Sequence, residues 1–529
     1  MSTYFSGGTI WCGKGRFAQS LRIDQGKIVA LDCQAEAGDE LIDLQGAFLA
    51  PAFMDGHAHP LFAGRESQGP KVNQLQSVLE IVTEVKRFAD NNPDVTWIVG
   101  GAYEAAIIEG GDFLAGWIDE YVADRPVVLQ AVDHHTIWVN SKALELAGIS
   151  ALTADPVGGT IARNSDGSPR GTLREPSAMA LIMRHAPART READVDAIAW
   201  ACQQYLAHGV TSATDAWVES GMAEAYIAAA ASGVLSIDVN LFFLAQPNIW
   251  KDESAYFAEL RQEILDLGSD SRLAARTIKF LCDGAFSSGT AAVLEPYLDD
   301  PQSKGLLIWD DAELLEAALH FDLQKYQLHL HAIGDAAVRQ VLDVIEKVQK
   351  INPSWDRRPV IAHAQLISEQ DLPRFAQLGV IANYQPLWCY LDPMNKELIA
   401  PRLGEERNNR QYQLASLLKS GAQVSYGSDW PVTSFVPLEA LAVPTHRQSP
   451  GGFEEQAWSA HEAISIEDSL TSYTEGVAYQ LSKEERVGRI ALGFVADLMI
   501  LDRNPLEVDL HGVKEIKILG LYKSGLRVR

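Results

Sequence analysis

Phe53-Met54-Asp55-Gly56-His57-Ala58-His59-Pro60 reads as a short apolar strand that closes on two histidines. Side chains two apart on a strand face the same way, so His57 and His59 point together off the strand end. Two imidazoles in that position form a natural half of a zinc site. The competing reading is a pair of polar turn residues, because an HxH alone recurs by chance.

Later strand ends decide between the two. Short apolar runs alternate with helical stretches along the middle of the chain, the pattern of βα units and a parallel sheet. The runs end at Met54–His59, Val210–Asp215, Val239–Phe243, Thr277–Asp283, Gln327–His331, Val360–His363, Val380–Tyr384 and Val424–Asp429. Eight such strands close a (β/α)₈ TIM-like barrel, and such barrels keep their catalysts at the C-terminal strand ends. His331, His363 and Asp429 stand at three of those ends, as His57 and His59 do at the first. One polar residue there reads as a satisfied core histidine or a helix cap. Five at four strand ends do not.

Lys279 lies inside the apolar run Thr277-Ile278-Lys279-Phe280-Leu281, where an unpaired ammonium is costly. It reads either as a lysine whose head reaches water or as a lysine neutralised by CO₂, giving a carboxylate that bridges two metals. Residues 279, 281 and 283 share a strand face, which brings Asp283 towards the same site. Cys282 falls on the other face.

Around the barrel, both chain ends carry strand-turn-strand patterns, such as Asp24-Gln25-Gly26-Lys27 before Ile28-Val29-Ala30-Leu31, and Leu498-Met499-Ile500-Leu501 after Gly493. They predict a small β-sandwich domain assembled from residues 1–50 and 485–529. Residues 51–484 form the barrel. An α+β insertion at about 70–200 lies near the barrel mouth, with strand-like pieces at Trp97–Gly101 and Pro126–Ala131 and a Gly-rich hairpin from Gly158 to Thr172.

Bulk properties set limits on partners. At 529 residues and 47% hydrophobic content the chain buries a large core, and 22% charged residues is a globular composition. A net charge of −26 repels phosphate backbones and anionic lipid, so nucleic acid and membrane are not expected partners. Five scattered cysteines without a CxxC pair fit a reducing cytoplasm, and the N-terminus lacks the pattern of a signal peptide. A helix-rich surface of this size supports a homodimer, which no segment localises. Gly158-Gly159 and Gly110-Gly111 lack a nucleotide-binding pattern.

PAFMDGHAHP, TIKFLCDG, the His329–Asp335 segment, IAHAQLI and GSDWPV resemble the amidohydrolase superfamily, and within it the YtcJ-like group (amidohydrolase family 3), which includes N-substituted formamide deformylase. Asp133–Leu144 and Gly171–Glu175 are similar to that group's recurring segments. The resemblance implies metal ligation by His57, His59, carboxylated Lys279, His331, His363 and Asp429, holding one or two divalent ions, zinc foremost. Glu175 is the alternative to Lys279, and the motif favours His331 over His329. Asp429 is then the proton acceptor and donor in hydrolysis of an amide, formamide or cyclic amide by metal-activated water. His135, Glu175, Asp283 and Trp388 are candidates for binding a small-molecule substrate, His135 by stabilising an oxyanion. Deaminases of the superfamily typically place a glutamate three residues after the fifth-strand histidine, where this chain has Gly334. A non-catalytic binding or regulatory protein on the same barrel is the other alternative, and no ligand is missing to favour it.

Overall fold

A computed structural model describes residues 2–73, 75–132, 135–156, 159–452 and 456–529. The chain forms two compact units. One comprises Met1–His59, Cys202–Asp429 and Thr433–Arg529, and the other Pro60–Ala201 with Trp430–Val432.

Eight parallel strands dominate the first unit: β1 (Phe53–Asp55), β2 (Val210–Val218), β3 (Asp238–Ala245), β4 (Leu273–Leu281), β5 (Gln327–Ala332), β6 (Val360–His363), β7 (Ile381–Tyr384) and β8 (Gln423–Tyr426). They are hydrogen-bonded in chain order from β1 to β8. Beyond the last rungs, Gly56 N donates to Tyr426 O (2.9 Å) and Asp429 N to His57 O (2.8 Å), bringing the first strand end against the eighth. Each of the eight apolar runs read from the sequence contains a strand of this TIM-like barrel, but Gly56–His59, Cys282–Asp283 and Gly427–Asp429 lie beyond the strand ends.

The helices that join them bury one face each. In Asp335–Ile351, Val338, Val341, Leu342, Ile345 and Val348 recur at helical spacing and are buried. Leu372–Leu378 has Pro373 in its first turn and ends at Gly379, whose φ of +61° is the left-handed cap that favours glycine.

Both chain ends meet in a second sheet of the same unit. Leu498–Leu501 runs antiparallel to Phe48–Pro51, which lies parallel to Thr3–Gly13. Arg16–Asp24 and Lys27–Leu31 extend this sheet on one side, and Ile518–Lys523 and Leu526–Arg527 on the other. Phe5, Leu21, Ile28, Leu49, Leu498 and Tyr522 belong to its buried core.

The second unit has a five-stranded sheet in the order Thr160–Arg163, Pro169–Arg174, Thr136–Val139, Val127–Ala131, Ile98–Tyr103. Ile81, Val82, Val85 and Ala89 of helix Val78–Asn91 pack with Tyr103, Phe113 and Trp138 in its core. The Gly-rich hairpin read from the sequence is the antiparallel pair 160–163 and 169–174; Gly158 lies outside the described residues. No helix among the described residues is long and apolar enough to cross a membrane.

Candidate metal centre

The strand of β1 stops at Asp55, so His57 and His59 stand on the loop just beyond it, and Asp429 stands three residues past β8. Asp55 ties these loops together. Its Oδ1 accepts from His57 N (3.2 Å) and Ser428 N (2.9 Å), and its Oδ2 from Ser428 Oγ (2.5 Å) and Tyr205 Oη (3.1 Å). Burial pushes its carboxyl up to about 6, against the pull of those bonds. The result brings His59 Nε2 to 3.0 Å and His57 Nε2 to 3.5 Å from Asp429 Oδ1. Ligand atoms of His57, His59 and Asp429 lie within 4.8 Å of one another, close enough to hold one cation.

The remaining strand ends join this cluster. Lys279, on β4, is 1% exposed with Nζ 3.3 Å from His57 Nε2, so its head does not reach water. His363 and His331 have ring centroids 4.6 Å apart, and His57 and His363 5.0 Å. His363 and Asp429 have φ of +73° and +59°. Left-handed backbone at a non-glycine residue costs about 1–3 kcal/mol and persists only where its surroundings impose it.

Each of three imidazoles has one ring nitrogen held by a group outside the six-residue cluster. His57 Nδ1 is 2.7 Å from His329 Nε2, His363 Nδ1 is 2.8 Å from Gln385 Oε1, and His331 Nε2 is 3.3 Å from Gly284 O. A partner on one nitrogen fixes the tautomer and leaves the other for a cation. Burial first, and then the neighbouring Lys279 and histidines, hold His57 and His331 well below their ordinary value, and burial takes His363 to about 4. These rings are therefore neutral near pH 7, the form that ligates metal. Burial lowers Lys279 to about 7. Burial also opposes charge on Asp429, but the His59 hydrogen bond and its basic neighbours outweigh it and hold this carboxyl below its ordinary range.

Asp283 shares the neighbourhood, with Oδ1 3.5 Å from His331 Nε2, yet both its oxygens serve the backbone. Oδ2 accepts from Ala292 N (3.0 Å) and Gly334 N (2.9 Å), and Oδ1 from Ile333 N (3.0 Å). Trp388 stacks parallel to His363 at 5.6 Å and donates Nε1–H to Thr433 Oγ1. His135 and Glu175 belong to the second unit, where they pair with each other at 3.0 Å. Gln385, His329 as a partner of His57, and Trp217, whose ring lies 6.5 Å from His59, also stand at the cluster, although no spacing singles them out as site residues. The one signal for His329 was its shared strand face with His331.

The chain as a whole has counterparts among known proteins. Residues 40–529 match the model of the Amidohydrolase family. The chain belongs to that family. Protein LONG AFTER FAR-RED 3 of Arabidopsis thaliana is 30% identical, over 92% of this amidohydrolase and 84% of the relative. Putative amidohydrolase YtcJ of Bacillus subtilis (strain 168) is 29% identical over 89% and 87% of the two chains. N-substituted formamide deformylase of Arthrobacter pascens is 26% identical over 96% and 94%. Among solved structures, an uncharacterized metal-dependent hydrolase from Pyrococcus horikoshii OT3 superposes with a TM-score of 0.78 at 25% identity, covering 96% of this amidohydrolase and 99% of that chain. Family, neighbour and donor set together support a hydrolase that works with a divalent metal.

Proposed function

We propose that this amidohydrolase cleaves a C–N bond of a small molecule, an amide, formamide or cyclic amide, with zinc as its metal. The observation that carries the reading is the convergence of His57, His59, Lys279, His331, His363 and Asp429 in one buried cluster, with three imidazoles each tied by one nitrogen. Those six residues would hold the metal. When bound, it acidifies water and polarises a carbonyl. Asp429 takes a proton from the attacking water at its carboxylate and passes it to the departing nitrogen.

Lys279 is the bridge in this reading. An amine brought to about 7 by burial is substantially unprotonated at neutral pH. Its lone pair forms an N–C bond to CO₂, a C=O electron pair moves onto oxygen, and one proton leaves. The carbamate so formed offers two oxygens where the free amine offers one nitrogen.

Amide hydrolysis is preferred to deamination for a steric reason as well. A Cβ at Gly334, the position of the deaminase glutamate, would sit 1.9 Å from Ala292 O. No side chain fits there. The relative named N-substituted formamide deformylase makes N-substituted formamides the first substrates to try.

Elemental analysis of protein purified without added metal or chelator tests the reading, together with His57→Ala and Lys279→Ala variants. About two zinc equivalents per chain, falling in both variants, is expected of a bridged two-metal site. About one, insensitive to Lys279, removes the bridge and leaves the hydrolase. Wild-type protein that neither contains nor takes up a divalent ion overturns the proposal.

A further inference from the structure

His329 lies two residues before His331 on β5 and is fully buried. Its Nε2 is 2.7 Å from Nδ1 of His57, and its ring leans on Phe242 with centroids 4.7 Å apart. It is not among the six proposed ligands, and its hydrogen bond points away from where a cation would sit. Its Nδ1 is buried with no hydrogen-bond partner among the described residues. That orphan nitrogen has a cost whichever tautomer the ring adopts, and an apolar side chain of similar size would avoid it.

The geometry of His57 shows what the cost secures. Its Nε2 faces Lys279 Nζ at 3.3 Å and Asp429 Oδ1 at 3.5 Å, so that nitrogen is the one turned towards the cluster. For Nε2 to offer a lone pair to a cation, the ring proton must sit on Nδ1. A proton on Nδ1 needs an acceptor, and the atom in reach is His329 Nε2. Gln385 Oε1 does the same for His363, and Gly284 O holds His331 by the opposite nitrogen. Partners of this kind orient a ligating imidazole and raise its basicity, and their loss typically weakens metal binding about 10–100-fold.

We infer that His329 is a positioning residue that fixes the tautomer and ring plane of His57, so that Nε2 of His57 presents its lone pair to the metal. The inference rests on the metal reading above and adds a residue to it.

His329→Met and His329→Gln test it, with two readouts on each protein. The first is zinc affinity of the full-length chain, by competition with a chromophoric chelator. The second is the melting temperature of the metal-free protein. Methionine fills the space without an acceptor. Glutamine sets an amide oxygen near the position of Nε2.

The expected result is that metal-free H329M melts at or above wild type while its zinc affinity falls about 10–100-fold. H329Q should recover most of that loss. A merely structural histidine would show the reverse, a lower metal-free melting temperature with no recovery of affinity in H329Q, and that overturns the inference. So does wild-type zinc affinity in H329M. Wild-type protein that binds no divalent ion sinks the metal reading along with it, whereas normal wild-type binding beside an unaffected H329M sinks this inference alone.

Discussion

Replacing Asp283 by alanine removes the acceptor of three buried backbone N–H groups, those of Ala292, Ile333 and Gly334. An orphaned buried donor costs about 1–3 kcal/mol. A water admitted to the vacated space satisfies part of that debt, so the expected loss is about 3–5 kcal/mol in the local stability of the segment after β5. Asparagine is milder. Its amide oxygen can take the place of Oδ2 and serve Ala292 and Gly334, leaving its NH₂ opposed to Ile333 N–H, for about 2–3 kcal/mol. Amide hydrogen exchange on peptides spanning 328–336 reads this directly in metal-free protein, without assuming that both units unfold together. Since about 1.4 kcal/mol is a factor of ten, exchange there should quicken about 100- to 4,000-fold in D283A and less in D283N. Unchanged exchange in both variants refutes the brace. Wild-type exchange in D283N combined with lost turnover would instead put Asp283 on the substrate.

Asp429→Asn should keep the fold, because asparagine tolerates the left-handed backbone found there (φ +59°), and should retain metal while turnover falls about 10²–10⁴-fold; full activity rejects the proton-transfer role. Lys523→Met strands the buried Asp497 carboxylate, whose Oδ2 lies 2.7 Å from Lys523 Nζ, and takes from Asp238 one of its two lysines, leaving Lys483 Nζ at 3.2 Å. Denaturation should show a loss of about 3–5 kcal/mol, and a change under about 0.5 kcal/mol would mean that the pair is not needed. Burial alone would raise Asp238, yet Lys483 and Lys523 outweigh it and hold its carboxyl below the ordinary range. Its folded value is thus lower than its unfolded one, so its contribution is complete above about pH 4 and is lost as pH falls through the folded value. Asp238→Asn should flatten the acid limb of the stability profile, and an unchanged limb would show that other carboxylates set it.

The barrel was legible because most of its strands read as apolar runs buried on both faces, and four of these runs lead into the histidines and aspartate of the cluster. Lys279 stood out for the same reason, as a cation inside the apolar run Thr277–Leu281. His329 and His331 were harder to separate. Alternation puts both on one strand face, and what distinguishes them is depth: His329 is fully buried against His57, whereas His331 reaches the loop carbonyl of Gly284. Asp283 marks where counting stops. Period-two counting carries it on from Leu281 towards Lys279, but the strand ends at Leu281; the carboxylate lies 3.5 Å from His331 Nε2 and accepts N–H groups from Ala292 in the loop after β4 and from Ile333 and Gly334 after β5. Sequence spacing predicts the facing of a side chain only while the chain stays extended.

Beneath the histidines lies a layer that no spacing rule announces. Gln385 Nε2 donates to Asn383 Oδ1, and Asn383 Nδ2 to Ser425 Oγ and Gln480 Oε1. Gln480 Nε2 donates to Gly56 O at 2.7 Å, and Gln327 Nε2 donates to Gln480 O. One amide, arriving on the helix Val477–Gln480, is thereby tied to the residue before His57 and, through Asn383 and Gln385, to His363. Gly56 has to be glycine for this to close: a Cβ there would sit 2.8 Å from Asn383 Nδ2 and 2.9 Å from Gln480 Oε1. Uncharged amides are common and have no diagnostic spacing, so neither Asn383 nor Gln480 draws notice in a sequence. Buried, however, each must find its partners or cost more than an apolar residue would. The orientation of the imidazoles thus depends on groups that do no chemistry, one of them more than 400 residues along the chain from the strand end it holds.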